Sequence, residues 1–265
     1  MKTIKYLYIL LLFPLFIACG DDDGGENNAA SGEMVIEFDN RVAGTNLSLN
    51  TTDYPYMNSL DQSFKVTKLR YYISNFILHN ADGTSFTMPL SEDGAEGYYL
   101  VDESQPASTE ITLSDIPEGD YTGFTFTIGV DADRVKEGAQ TGALDVTNNM
   151  FWGWNMGYIF MQFEGESPES TEDGQVLQYH MGGYKSDPDN PNLVDNIKMT
   201  TLSGEFTIAS NLKPQAHIVV DVKKFFDSPN VIDFSSNASR HSPAAAAEIA
   251  ENYVNAFVLD HIHAD

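Results

Sequence analysis

Six histidines are spread along this 265-residue chain: His79, His180, His217, His241, His261 and His263. The last two form an H-x-H pair. Alternate side chains of an extended segment share a face, so both imidazoles would project the same way. Imidazole suits copper, zinc and nickel. The pair therefore reads either as part of a metal site or as two solvated rings at a polar chain end. His180 lies in Gln178-Tyr179-His180-Met181-Gly182-Gly183, where two glycines let another group approach the backbone closely. His79 ends a strand pattern and enters a turn, which predicts exposure rather than ligation. His217 and His241 have no paired histidine near them in sequence.

Both tryptophans fall in Met150-Phe151-Trp152-Gly153-Trp154-Asn155-Met156-Gly157-Tyr158. If residues 151–161 are extended, Trp152 and Trp154 share one face. Two large rings on one face fit plain core, a stacking platform for a sugar or other ligand, or a tryptophan oxidised beside a metal. Met150, Met156, Met161 and Met181 cluster around the same stretch. Thioether is a soft ligand that selects Cu(I), but flexible methionine side chains also fill cores, and that reading is preferred for most of them.

Other chemistries find no foothold. The chain has no G-x-S-x-G, P-loop, paired G-x-G-x-x-G or H-E-x-x-H motif. With 39 acidic residues, a pair of carboxylates carries no information. The net charge is −25, and without Lys2 and Lys5 it is 12 basic against 39 acidic residues, or −27. Such a field repels nucleic acid and anionic surfaces and draws cations.

The elements that must position these residues are mostly strands. Residues 34–38, 64–79, 98–101, 110–113, 121–130, 157–165, 176–181, 198–208 and 216–222 show strand patterns. Residues 39–63, 131–149, 166–174 and 185–192 read as loops, and Asn80-Ala81-Asp82-Gly83 as a turn with a hairpin partner at 84–88. In 64–79, Phe64, Val66, Tyr72, Ser74, Phe76 and Leu78 share one parity. In 216–222, His217, Val219 and Asp221 face one way and Ile218, Val220 and Val222 the other. Ser242-Pro243 marks an N-cap and first helical position, and Ile249, Tyr253 and Phe257 form a docking stripe. The expected fold is mainly β, a single antiparallel β-sandwich or open barrel with long loops and one C-terminal helix.

The N-terminal end predicts export. Lys2 and Lys5 precede twelve apolar positions, Leu7–Ala18, too few for the about 20 needed to span a bilayer. Residues 1–18 read as a signal peptide, and Phe16-Ile17-Ala18-Cys19 resembles a relaxed lipobox, which makes the single cysteine the lipidation site. An ordinary secretory signal is the alternative. Residues 19–33 read as an acidic, glycine-rich tether. The acidic run resembles the surface-export signal of Bacteroidetes-type lipoproteins, with a plain solvated linker as the other reading. Residues 34–265 form one domain, placed in the cell envelope, on the outer membrane and either periplasmic or surface-exposed.

Five blocks occur in order: YYISNFIL (71–78), FTFTIGVD (124–131), MFWGWNMGYIFMQFEG (150–165), YHMGG (179–183) and IAENYVNAFVLDHIH (249–263). Together they resemble the MbnP-like copper-binding proteins over roughly residues 34–263. The Trp block and the Y-H-x-G-G block are the most specific parts. The resemblance implies a β-rich periplasmic or surface protein that binds Cu(I) or Cu(II) and is not an enzyme. It implies a histidine site beside a tryptophan that some relatives carry as kynurenine, made by a dihaem peroxidase-like partner. His180 matches the histidine of Y-H-x-G-G, and Trp152 and Trp154 match the W-x-W block. Where methanotroph surface members have a ligand two positions after the modified tryptophan, Trp154 stands here, and His261 and His263 are assigned to fill the gap. The expected metal ligands are thus His180, His261 and His263, with Trp152 or Trp154 lining the site, shielded by Tyr158 and Tyr179. The expected role is to sequester or deliver copper outside the inner membrane. Two other readings are an accessory lipoprotein that captures a glycan or protein on its aromatic block without metal, and a domain that has lost its metal site.

Overall fold

The structure, a computed structural model, describes residues 30–138, 140–153 and 155–264. The signal peptide at 1–18, Cys19, most of the 19–33 tether and Trp154 lie outside the described residues.

Two sheets face each other. In the smaller, strand Ser31–Val42 is flanked by Gln215–Asp221 running parallel and Glu110–Pro117 running antiparallel. Strand Phe257–His263 pairs antiparallel with the outer side of Gln215–Asp221 and forms the edge. The larger sheet runs in the order Lys198–Ile208, Gly119–Ile128, Ser63–Asn80, Gly157–Glu166, Val176–Gly182 and Ser239–Arg240. Phe38 of the smaller sheet meets Tyr71 and Phe126 of the larger edge-on, at ring centroid distances of 6.0 and 5.9 Å. Such aromatic pairs seal the interior that both sheets share. The expected two-layer, mainly β architecture is therefore present, open rather than closed. Among the described strands, 31–42 pairs with 215–221 and 176–182 with 239–240 in parallel.

Several strands are less regular than their patterns predict. The 63–80 strand does not keep one inward parity. Phe64 and Val66 face the core, then Leu69, Tyr71 and Ile73, then Phe76 and Leu78. The register slips once at Thr67, where Lys68 and Val66 oppose the consecutive Glu164 and Gly165. It slips again between Ser74 and Ile77, around Asn75, whose φ is +53°. Each bulge moves the following side chains to the other face. Tyr72 consequently joins a second core on the outer face of the large sheet, with Tyr98, Leu144, Tyr158 and Tyr184. Loop 131–149 covers that face, so the 157–166 strand is buried on both sides where its alternation alone predicts one buried face.

The Trp stretch is a hairpin rather than one extended run. Strand Phe151–Gly153 ends at Gly153 (φ +136°), a turn follows, and Gly157 (φ +75°) starts the return. Both glycines hold backbone angles that side chains resist. Met150, Met161 and Met181 are buried in the two cores, the space-filling role preferred for them.

The helix begins as expected. Ser242 caps it by accepting from the Ala245 N–H, with Pro243 in the first turn. It ends at Tyr253, earlier than the apolar stripe suggests, and Phe257 is buried from the edge strand instead. Two shorter helical turns, Ala132–Lys136 and Lys224–Asp227, were not expected. Among the described residues, no helix is long and apolar enough to cross a membrane.

Candidate metal centre

His180 belongs to a polar row that crosses the outer face of the large sheet. Arg70 opposes Gln162, and Gln162 opposes His180. The next neighbour is supplied by the short strand Ser239–Arg240, which runs parallel to 176–182 with Gln178 opposite Ser239 and Tyr179 opposite Arg240. One step further along that register, His180 meets His241. Their Nδ1 atoms lie 3.3 Å apart, with the rings nearly perpendicular at 86°.

The row is held from the Arg70 end and from behind His180. Arg70 donates to Gln162 Oε1 through Nε and Nη2 at 3.0 and 2.6 Å, which fixes the amide orientation. Gln162 Nε2 then donates to Glu164 Oε1 at 2.8 Å. Glu164 also pairs with Lys68 at 3.0 Å and with His180 Nε2 at 3.1 Å. A bond from an imidazole N–H to a carboxylate is charge-assisted and stronger than a neutral one. Gln162 Nε2 also approaches His180 Nε2, at 3.2 Å, but it already donates to Glu164; with the His180 proton on Nε2, towards the carboxylate, the Nδ1 lone pair points at His241. A carboxylate behind a histidine in this way is the usual support of a metal-binding imidazole.

The electrostatics agree. Burial is the largest influence on His180 and lowers its pKa below 6.5, aided by the nearby His241 and opposed by the Glu164 hydrogen bond. Burial pushes Glu164 up, but the hydrogen bonds from Lys68 and His180 outweigh it and hold the carboxyl below its ordinary range. Glu164 stays ionised and His180 neutral, the forms that metal binding requires. Two nitrogens each about 2.0 Å from one tetrahedral cation lie roughly 3.3 Å apart. The Nδ1 pair, one ring largely buried and the other exposed to solvent, fits a soft or borderline cation that prefers imidazole.

The lowered His180 pKa has a direction. Between its folded value and 6.5 the unfolded chain binds the extra proton and the folded chain does not. Stability of the metal-free protein is therefore expected to rise with pH through that window and to fall as pH drops below 6.5. Urea unfolding across pH 5 to 8 checks this, and His180→Ala should flatten the slope.

The Gly-Gly pair after His180 brings the other parts close. A Cβ on Gly182 would stand 2.8 Å from Cζ3 of Trp152, so the indole lies directly against this backbone. A Cβ on Gly183 would stand 2.7 Å from Cβ of Pro243, two residues after His241. Trp152, His180 and the His241–Pro243 segment are thereby gathered around one dipeptide. Trp152 is half-buried and packs on the second core.

The expected ligands divide between two places. His180 stands here, whereas His261 and His263 stand on the edge strand of the smaller sheet, their Nε2 atoms 2.8 Å apart. His180, His261 and His263 are not brought together, because the edge strand pairs with 215–221 and not with 176–182. His241 and His217, unpartnered in sequence, each gain a histidine neighbour: His180 for the first, His261 for the second. Tyr179 points into the main core and Tyr158 into the second, donating to the carbonyls of Asn237 and Leu144 at 2.8 Å each, so neither stands over the His180–His241 pair as a shield. His79 bonds Thr125 Oγ1 at 2.7 Å.

The MbnP family model matches residues 31–244, a span that contains Trp152, His180 and His241 and stops before His261. Among solved structures the chain is similar to MbnP from Methylosinus trichosporium, at 16% identity, covering 88% of this chain and 99% of that one, with a TM-score of 0.47. No curated protein matches it. A family match over most of the length means that this chain belongs to the MbnP family.

Proposed function

We propose that this is an exported, lipid-anchored protein that binds copper and sequesters or delivers it outside the inner membrane, without catalysing a reaction. The observation that carries the reading is the facing Nδ1 pair of His180 and His241, with Glu164 behind His180. Family membership supports copper as the ion, and both histidines lie within the matched residues. The net charge of −25 would concentrate cations at the surface. Cys19 would carry the lipid, holding the domain to the outer membrane by its acidic tether.

Trp152, against Gly182, would wall the site. Trp152 or Trp154 would become kynurenine if a dihaem peroxidase-like partner acts on this chain as the resemblance implies. The packing of Trp152 on the second core favours that wall over an open stacking platform for a glycan.

The test is a copper count. Protein loaded with Cu(I), desalted and analysed for metal should retain about one copper per chain, and His180→Ala/His241→Ala should retain almost none. A double variant that keeps copper as the parent does would overturn the assignment.

A further inference from the structure

The smaller sheet gathers a second set of metal-binding side chains, separate from the pair above. His217 on the 215–221 strand opposes His261 on the edge strand. The next pair in register is Ile218 with Leu259, so Asp260 is an extra residue, a β-bulge. In an unbroken strand, Asp260 and His261 would project to opposite faces. The bulge turns Asp260 to the side of both histidines, the re-aiming that bulges perform. Asp260 Oδ2 lies 2.8 Å from His261 Nδ1 and 3.4 Å from His217 Nδ1. One ligand atom from each of the three falls within 4.8 Å of the others, the one such group of three among the described residues.

The surroundings are built for a cation. His217 Nε2 lies 3.1 Å from Asp39 Oδ2, and Arg41 Nε donates to the same oxygen at 2.7 Å. His217 has a carboxylate at each of its two ring nitrogens, Asp39 at Nε2 and Asp260 at Nδ1. With Nε2–H donated to Asp39, the Nδ1 lone pair of His217 and the Asp260 carboxylate are two ligand atoms that face the same point. Glu37, opposite His217 in the parallel strand, adds a third carboxylate, its Oε1 4.0 Å from Nε2. Arg41 balances one of the three. His261 Nε2 is held by His263 Nε2 at 2.8 Å, which orients the ring from behind. His217 is largely covered, whereas Asp260 and His261 are open to solvent and to an arriving ion.

We propose that His217, Asp260 and His261 bind a second metal ion, a divalent cation of the zinc, nickel or copper(II) class, with Asp39 and His263 orienting the two imidazoles. Mixed nitrogen and carboxylate ligands suit such borderline ions. Asp260, His261 and His263 lie beyond residues 31–244, so the site is not part of the family match. It stands whether or not the His180–His241 pair holds copper.

The probe is zinc, measured by equilibrium dialysis on full-length protein carrying His180→Ala/His241→Ala, which removes the other pair. About one zinc per chain is expected. Adding Asp39→Asn should weaken it 10- to 100-fold, the usual effect of losing a carboxylate behind a ligand histidine. Adding Asp260→Asn or His261→Ala, both at exposed positions, should weaken it further, with an unchanged melting temperature of the zinc-free protein confirming the fold. No saturable zinc in the double variant would overturn the proposal, leaving a hydrogen-bonded cluster only. So would zinc binding that Asp260→Asn and His261→Ala leave unaltered.

Discussion

His180→Ala is expected to weaken copper binding by more than 100-fold, and Glu164→Gln by about 10- to 100-fold. The ranking follows from the two roles. His180 supplies one of two facing Nδ1 atoms, and alanine leaves His241 alone. Glu164 supplies no ligand atom. It accepts the Nε2 proton at 3.1 Å and so keeps Nδ1 free. Glutamine keeps the size and a weaker acceptor but loses the charge that holds the tautomer. It also leaves Lys68, 3.0 Å from the carboxylate, without its partner beside the site. Competition titration with a Cu(I) chelator reads both effects. Equal losses would mean that Glu164 ligates the copper, and no loss in Glu164→Gln would mean that the tautomer is set elsewhere.

Gly183→Ala is expected to destabilise the metal-free protein by about 2–6 kcal/mol, the sum of backbone strain and overpacking. The backbone there has φ +114°, and a Cβ would lie 2.3 Å from the Val194 carbonyl oxygen and 2.7 Å from Pro243. The first contact is with backbone, which cannot rotate away. Relief would push the Ser242–Pro243 helix start outward and carry His241 with it, so copper affinity should fall as well. Gly44→Ala is the control. Gly44 has φ +83° and open space around its Cβ position, so only the strain, about 1–3 kcal/mol, applies. Urea unfolding of both variants separates the two contributions. Similar losses at the two positions would mean that the Gly183 contacts relax freely.

Much of this architecture was legible in the chain. The alternation of 198–208 and 216–222, the Ser242-Pro243 helix start and the Asn80–Gly83 turn all appear where local pattern put them, because local propensity and burial agree there. The 63–80 strand was misread in its facing, since a bulge costs a sequence nothing visible: Thr67 and Asn75 look like ordinary strand and turn residues. The same reason hid the role of Asp260.

The histidine pairing was hidden more deeply. His180 and His241 are 61 residues apart, and their meeting depends on the parallel register of the two-residue strand Ser239–Arg240, too short to carry a pattern. The available signal was positional. His241 stands immediately before the N-cap of a helix whose Pro243 needs a glycine to pack on, and the only Gly-Gly pair beyond the tether is at 182–183, directly after His180 and Met181. Sequence spacing favoured the H-x-H end instead, because adjacency along the chain is visible and adjacency across a sheet is not.

The most direct test of the copper assignment reads the ring nitrogens themselves. Cu(I) is diamagnetic, so long-range proton–nitrogen spectra of 15N-labelled protein resolve each imidazole with and without the metal. On adding one equivalent of Cu(I), the Nδ1 signals of His180 and His241 should shift together while their Nε2 nitrogens stay protonated or solvent-facing, and His79 should not respond. Shifts confined to His217, His261 and His263, with His180 and His241 unmoved, would contradict the assignment and place the copper on the edge of the smaller sheet.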